Sequence, residues 1–503
     1  MTNIRLRRTL ALLVLVFLTA RLLAEVDQAR SSDEPPWQAF VVAGALDQRA
    51  AREALEVIGA RWRDAYAAMI IDVARLLPSS RATERRAEEQ PALDLDDSVD
   101  AELGILSRRD EFPSAARRLP GAEARRRLME FLERQTKQRF GDDLRTWRKW
   151  IWERTDKPHA DYASFKAEVY ARIDPLFRTF FPPGVQSAIR LDEIDWGGVT
   201  VNGIPPLRQP KVIRADEARW LRDSHVVFGL EVNGEARAYP KRILAWHEMA
   251  IDRLGGLDLT IVYCTLCGTV IPYESRIGSR QFAFGTSGLL YRSNKLMFDE
   301  ETRSLWSSLE GVPVVGPLVG SGLQLTFQSV VTTTWGEWRR EHPTTTVLSL
   351  DTGFKRDYAE GAAYRDYFAS DRLMFEVPAT DARLKNKAEV LVFRPELIAP
   401  GAAPVAISIE RLKRQPIFPF DVGTRRFVVV TSKDGANRMY ERGAVTFATR
   451  EPDGQLRDDA GRRWRVTSDA LVSDGGERLP RVAAHRAFWF GWYAQHPDTI
   501  LYR

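Results

Sequence analysis

Of 503 residues only two are cysteine, six are histidine and seven are methionine. Two cysteines can close at most one disulfide, and they are too few for a four-ligand zinc site built from thiolates alone. No single sign of charge dominates either: 73 lysines and arginines face 68 acidic residues, giving a formal net charge of +5. The signs alternate along most of the chain rather than forming blocks, so nucleic-acid binding is not supported. No apolar run approaches the ~20 residues needed to span a bilayer. Nucleotide and flavin fingerprints are missing. Gly285-Thr286-Ser287-Gly288 lacks the spacing of a nucleophile elbow, which disfavours a hydrolase.

The amino terminus has the pattern of an export signal. Arg5, Arg7 and Arg8 precede an apolar run from Leu10 to Ala20, which Arg21 interrupts before Leu22, Leu23 and Ala24. That length suits a signal-peptide core. The bulky residues before Ala24 suit cleavage less well, so residues 1–24 are read as a signal peptide or a membrane anchor with its arginines in the cytoplasm. The expected location is periplasmic or otherwise extracytoplasmic, with a tether to the inner membrane as one form of it. The expected partner is an unknown protein or envelope component.

Two compositions follow. Across residues 37–181, apolar side chains recur at three- and four-residue steps, as in Ala54, Leu55, Ile58, Trp62, Ala65, Tyr66, Met69, Ile70 and Val73. This is the stripe of an amphipathic helix. Leu128, Phe131, Leu132, Leu144, Trp147, Trp150 and Ile151 extend it beyond a polar connector from Pro78 to Pro120. Helical pairs are predicted, in a helical-repeat-like or plain bundle arrangement. From Pro182 onward glycine, proline and short β-branched runs take over, placing a boundary near Phe181 to Gly184. Val226 to Val232 and Glu235 to Tyr239 flank Asn233-Gly234, a strong hairpin signal. A helix is predicted from Pro240 to Leu254, ended by Gly255-Gly256, and Thr333 or Thr334 is expected to cap a short helix carrying Trp335 and Trp338.

The β-rich part repeats itself. Val262 to Glu274 aligns without a gap to Val429 to Glu441, matching Gly268 with Gly435 and Tyr273 with Tyr440. Trp335, Trp338, His342, Pro343 and Thr345 recur as Trp489, Trp492, His496, Pro497 and Thr499, and Trp306 pairs with Trp464. The expected fold is α+β, an N-terminal α-helical region followed by a β-rich, internally duplicated domain. Its first copy covers 185–386 and its degenerate second copy 387–503, with the helix before the second turn degraded or lost. In this alignment Cys264 becomes Thr431 and Cys267 becomes Asp434. A turn that the fold builds without thiols in one half points to function for the thiols of the other.

The ordered motifs resemble domain-of-unknown-function family 3179 of bacteria and archaea. They are Ile204-Pro205-Pro206-Leu207, Val232-Asn233-Gly234-Glu235, Trp246-His247-Glu248, Tyr263 to Gly268, Gly288 to Tyr291, Ser304-Leu305-Trp306, Trp335 to Trp338, Asp351 to Phe354 and His496 to Thr499. The resemblance covers roughly Ile189 to Arg503. It implies an exported protein with the Cys-x-x-Cys-Gly turn, and it carries over no particular activity.

Three chemistries compete for Cys264 and Cys267. A disulfide across so short a loop would remove only about 2 kcal/mol from the unfolded state, a poor staple. Thioredoxin-like chemistry wants the pair at a helix N-terminus, whereas Gly268 and Val270-Ile271-Pro272-Tyr273 read as turn and strand. The favoured expectation is a soft-metal site, copper or zinc, with His247 as third ligand and Met297 and Glu248 as weaker ones. Thiol-disulfide exchange and a non-catalytic envelope interaction module are the alternatives. His342 and His496, present in both copies, are expected to serve the scaffold. Asp351, Arg356, Asp357 and Tyr358 line a pocket or form a solvated linker.

Overall fold

The computed structural model describes residues 34–78, 120–395 and 400–503. The amino-terminal segment 1–24 and the connector residues 79–119 lie outside the described residues. Among those described, no helix is long and apolar enough to cross a membrane. The chain divides into a helical unit ending at Glu193 and a β-rich unit from Ile194 to Arg503.

In the helical unit the long apolar stripe is broken in two. Gln48–Gly59 is capped by Asp47, whose carboxylate accepts from the N–H groups of Arg49 and Ala50, and Ala67–Arg75 follows after a short 3-10 turn at Asp64–Tyr66. Pro120–Thr136, Leu144–Trp152 and Tyr162–Tyr170 complete the packing with Trp37–Ala43. The core holds a buried ion pair: Lys166 Nζ meets Asp72 Oδ2 at 2.8 Å, and Tyr162 donates to the same oxygen at 2.9 Å, so neither buried charge is left bare. The unit runs past the predicted boundary. Arg190 donates to the Arg154 carbonyl at 2.8 Å and to Asp192 at 2.7 Å, folding the Gly/Pro-rich stretch back onto the helices.

In the β-rich unit, the first half pairs Val331–Thr334, Val226–Val232, Glu235–Pro240, Thr346–Leu348 and Val212–Arg214 in that order; the second repeats the first four places with His485–Phe488, Glu389–Phe393, Val405–Ser408 and Ile500–Tyr502. In each half the fourth strand runs parallel to the third. Asn233 and Gly234 take φ of 50° and 82°, as a two-residue hairpin turn requires. Buried contacts recur as well. Trp338 Nε1 donates to Thr345 Oγ1 and Trp492 Nε1 to Thr499 Oγ1, both at 2.9 Å. Trp306 and Trp464 each donate to an aspartate, Asp299 and Asp458, at 3.0 Å. The fold class is therefore α+β with an internally duplicated β-rich part.

Three details correct the sequence reading. The first helix is only Lys241–His247; Glu248 turns the chain at φ 54°, and Met249–Leu254 is a strand joined by Gly255-Gly256 to Leu257–Cys264. The second half keeps its helix, Ile409–Arg414, capped by Ser408. The copies do not align without a gap: Met249 pairs with Val262 and Ile417 with Val430, an offset of 168, whereas Val262 pairs with Ile271 and Val430 with Arg438, which shortens the second loop by one residue. Strand register thus places Ser432, not Thr431, at the position of Cys264.

The halves are interleaved. The cysteine turn of the first packs with Phe488, Phe490 and Ala494 from the second. Ala436, in the second turn, packs with Trp335 and Trp338, and Arg340 bonds Asp434 at 2.6 Å.

Candidate functional site

Cys264 ends one strand and pairs with Thr269, which begins the next, leaving Thr265-Leu266-Cys267-Gly268 as the loop. Gly268 sits at φ 63°, and a Cβ there would meet the Phe488 ring at 3.0 Å, so both its conformation and its neighbour demand glycine. The Phe488 N–H donates to the Cys267 carbonyl at 2.7 Å. Gly491 presses on the same cysteine: a Cβ added there would lie 3.0 Å from Cys267 Cβ and 3.2 Å from its sulfur.

Both cysteines are free thiols, and both are buried, Cys264 to 3% exposure and Cys267 to 0%. Their sulfurs converge on one carbonyl, that of Ser293, at 2.9 Å from Cys267 and 3.9 Å from Cys264. Arg292 and Ser293, at φ 48° and 64°, make the tight turn that aims this oxygen inward. Asn294, next in line, donates to the carbonyls of Arg292 and Gly491 at 3.2 and 2.9 Å, while its Oδ1 is buried without a hydrogen-bond partner.

The two thiols hold their protons unequally. Burial opposes ionisation at both. At Cys264 this is outweighed by the hydrogen bond from the Cys267 thiol and by backbone N–H groups of Lys295 and Cys267, which bring it below an ordinary thiol. Cys267 is raised well above the usual range, by burial first and then by its bond to Cys264. The negative charge of Glu248 raises both.

Glu248 belongs to this site. Its carboxylate accepts from Thr265 Oγ1 at 2.6 Å, within the cysteine loop, and from Tyr364 OH at 3.1 Å, and it pairs with Lys295. Both charged side chains are about 93% buried, beside a cavity of about 30 Å³ that Leu266, Thr286, Tyr364 and Met374 also line, room for one or two waters. Tyr367 OH donates to the Leu266 carbonyl at 2.7 Å and closes the loop from that side. Lys295, Tyr364 and Tyr367 escaped the sequence reading. A lysine beside the apolar run Leu296-Met297-Phe298 of the wholly buried strand Asn294–Asp299 was the available signal.

His247 is fully buried, with both ring nitrogens engaged. Nδ1 meets the Pro205 carbonyl at 2.9 Å and Nε2 meets Tyr358 OH, which Thr352 contacts at 2.6 Å. Phe354 packs on the ring at 5.2 Å between centroids, so the Asp351 to Tyr358 loop clamps this histidine rather than trailing in solvent. Burial pushes its pKa down to about 4. Met297 lies in a separate cluster with Trp306 and Phe284. Among the described residues no three of His, Cys, Asp and Glu come together in a metal-holding group. Of the five predicted ligands, the fold gathers Cys264, Cys267 and Glu248 about one loop. His342 and His496 each pack, tilted, against the tryptophan four residues earlier, in matching places of the two halves.

The fold and site define an α+β protein whose duplicated β-rich part buries a single dithiol. The profile of a family described as "Protein of unknown function (DUF3179)" matches residues 201–499, and the chain belongs to that family. No curated protein and no solved structure matches it.

Proposed function

We propose that the chain is a thiol-disulfide redox protein that cycles Cys264 and Cys267 between dithiol and disulfide. The observation that carries this is the pairing itself: two buried sulfurs in one loop, both facing the Ser293 carbonyl, with an ion-paired carboxylate bonded to the same loop. Cys264, the thiol whose pKa is lowered, loses its proton and attacks one sulfur of a partner disulfide, and the other partner sulfur leaves as thiolate. Cys267 then loses its proton and attacks Cys264 sulfur, releasing the second partner thiolate and leaving the Cys264-Cys267 disulfide. Two electrons pass to the partner. An extracytoplasmic location, as the amino-terminal pattern suggests, would provide disulfide-bearing partners. Since both thiols are buried, exchange needs transient opening of the loop's cover at Tyr364 and Tyr367.

The same sulfurs support a second reading, a soft-metal site. Two thiolates can satisfy Cu(I), whereas zinc needs four ligands. Recruiting His247 as third ligand would require its ring to give up Pro205 or Tyr358. Anaerobic purification with metal analysis and thiol counting separates the readings. Redox function predicts no stoichiometric metal and two thiols that disappear together with oxidised glutathione and return with reductant. Stoichiometric copper lost on Cys264→Ser would overturn it in favour of the metal.

A further inference from the structure

Away from the cysteines, a cleft of about 250 Å³ opens between the two halves of the β-rich unit, walled by Leu325, Phe327, Val392, Phe393, Arg394 and His485. It is mostly apolar. Its polar wall is what distinguishes it. His485 is 93% buried, and its Nε2 has no hydrogen-bond partner. An orphaned polar atom inside a fold costs about 1 to 3 kcal/mol, so its retention calls for a reason.

The internal duplication supplies a control. Val392 lies opposite His485 in the second half, and Gly229 lies opposite Val331 in the first, so His485 stands where the same scaffold is content with valine. The neighbourhood also changes. Glu231 occupies the place that Arg394 takes in the second half, and His342 Nδ1 contacts it at 3.3 Å. In the second half His496 bonds Glu310 at 2.9 Å, Glu310 also pairs with Arg394, and the Arg394 guanidinium lies 5.0 Å from the centre of the Phe327 ring. Burial, followed by the nearby charges of Arg394 and His496, pushes His485 down to about pKa 3, so the ring is neutral and can offer Nε2–H as a donor. A buried donor and a guanidinium in the walls of an apolar cleft suit an oxyanion on an apolar body.

We propose that this cleft binds a small organic carboxylate, its apolar part against Leu325, Phe327 and Val392 and its carboxylate accepting from His485 Nε2 and facing Arg394. Nothing in this depends on the redox reading of the cysteines, and Cys264→Ser is expected to leave the binding unchanged.

The test uses the full chain with benzoate and hexanoate as probes, and benzyl alcohol and hexanol as neutral matches, by calorimetry and thermal shift. The carboxylates should bind saturably and the alcohols should not. His485→Leu, which removes the orphaned nitrogen, should raise the ligand-free melting temperature yet weaken carboxylate binding by at least about tenfold. His485→Gln, which keeps a donor, should retain part of the affinity, and Val392→Phe should fill the cleft and abolish binding. Absence of saturable carboxylate binding by the unmodified chain, equal binding of the alcohols, or unchanged affinity in His485→Leu would each overturn the proposal.

Discussion

At the scale of single residues, burial keeps His247 and His485 neutral. His247 resists protonation until about pH 4, because charging it would place a cation in the core. An unfolded histidine takes up its proton near pH 6.5, so across that window the unfolded chain binds more protons and stability falls as pH drops, with no effect above it. For His247 the full loss is roughly 3 kcal/mol. Denaturant unfolding at pH 7 and pH 4.5 should show the decline, and His247→Gln should make it shallower while His485 sustains the remainder. Glu248 and Lys295 carry a different risk. Glu248→Ala strands a buried ammonium and is expected to cost about 3 to 5 kcal/mol, most of it recovered by adding Lys295→Met. Equal losses in the single and double variants would count against the pair. The cysteines were legible in the sequence because the second copy omits them. Lys295 and Tyr364 were not, since only tertiary packing brings strand, helix end and loop to one point.

Among the elements, the sequence misled where a helical and a strand pattern abut. The apolar residues of Ile243 to Leu254 satisfy helical spacing, but Met249–Leu254 pairs along its length with Leu257–Cys264, and Gly255 at φ 54° and Gly256 at φ 82° make the turn. Glycine pairs can end a helix or close a hairpin, and the choice lies in long-range pairing. The second helix escaped notice for the opposite reason: six residues are too few to show a period. The helix Trp489–Tyr493 now gains a role beyond scaffold, because Gly491 abuts Cys267. Gly491→Ala should crowd the sulfur, cost about 1 to 3 kcal/mol and alter Cys267 alkylation; an unperturbed thiol would show that the helix is not part of the site.

In the molecule as a whole, duplication explains both what could and what could not be foreseen. Matching tryptophan, histidine and threonine positions made the repeat readable. Its interleaving was hidden, for nothing local in Tyr263 to Gly268 specifies Phe488 or Gly491 as neighbours. Because each turn packs on the other half's helix, residues 194–386 produced alone should expose the Cys267 cluster and fail to fold, and co-production with 387–503 should restore solubility. A soluble, cooperatively unfolding first half would contradict the interleaving.

The redox reading itself is tested most directly by equilibrating the full chain with graded ratios of reduced to oxidised glutathione, quenching with an alkylating agent and weighing the products. The account predicts one two-electron transition from doubly alkylated protein to an unalkylated disulfide form, lost in Cys264→Ser. Protein that stays doubly alkylated at every ratio would contradict it.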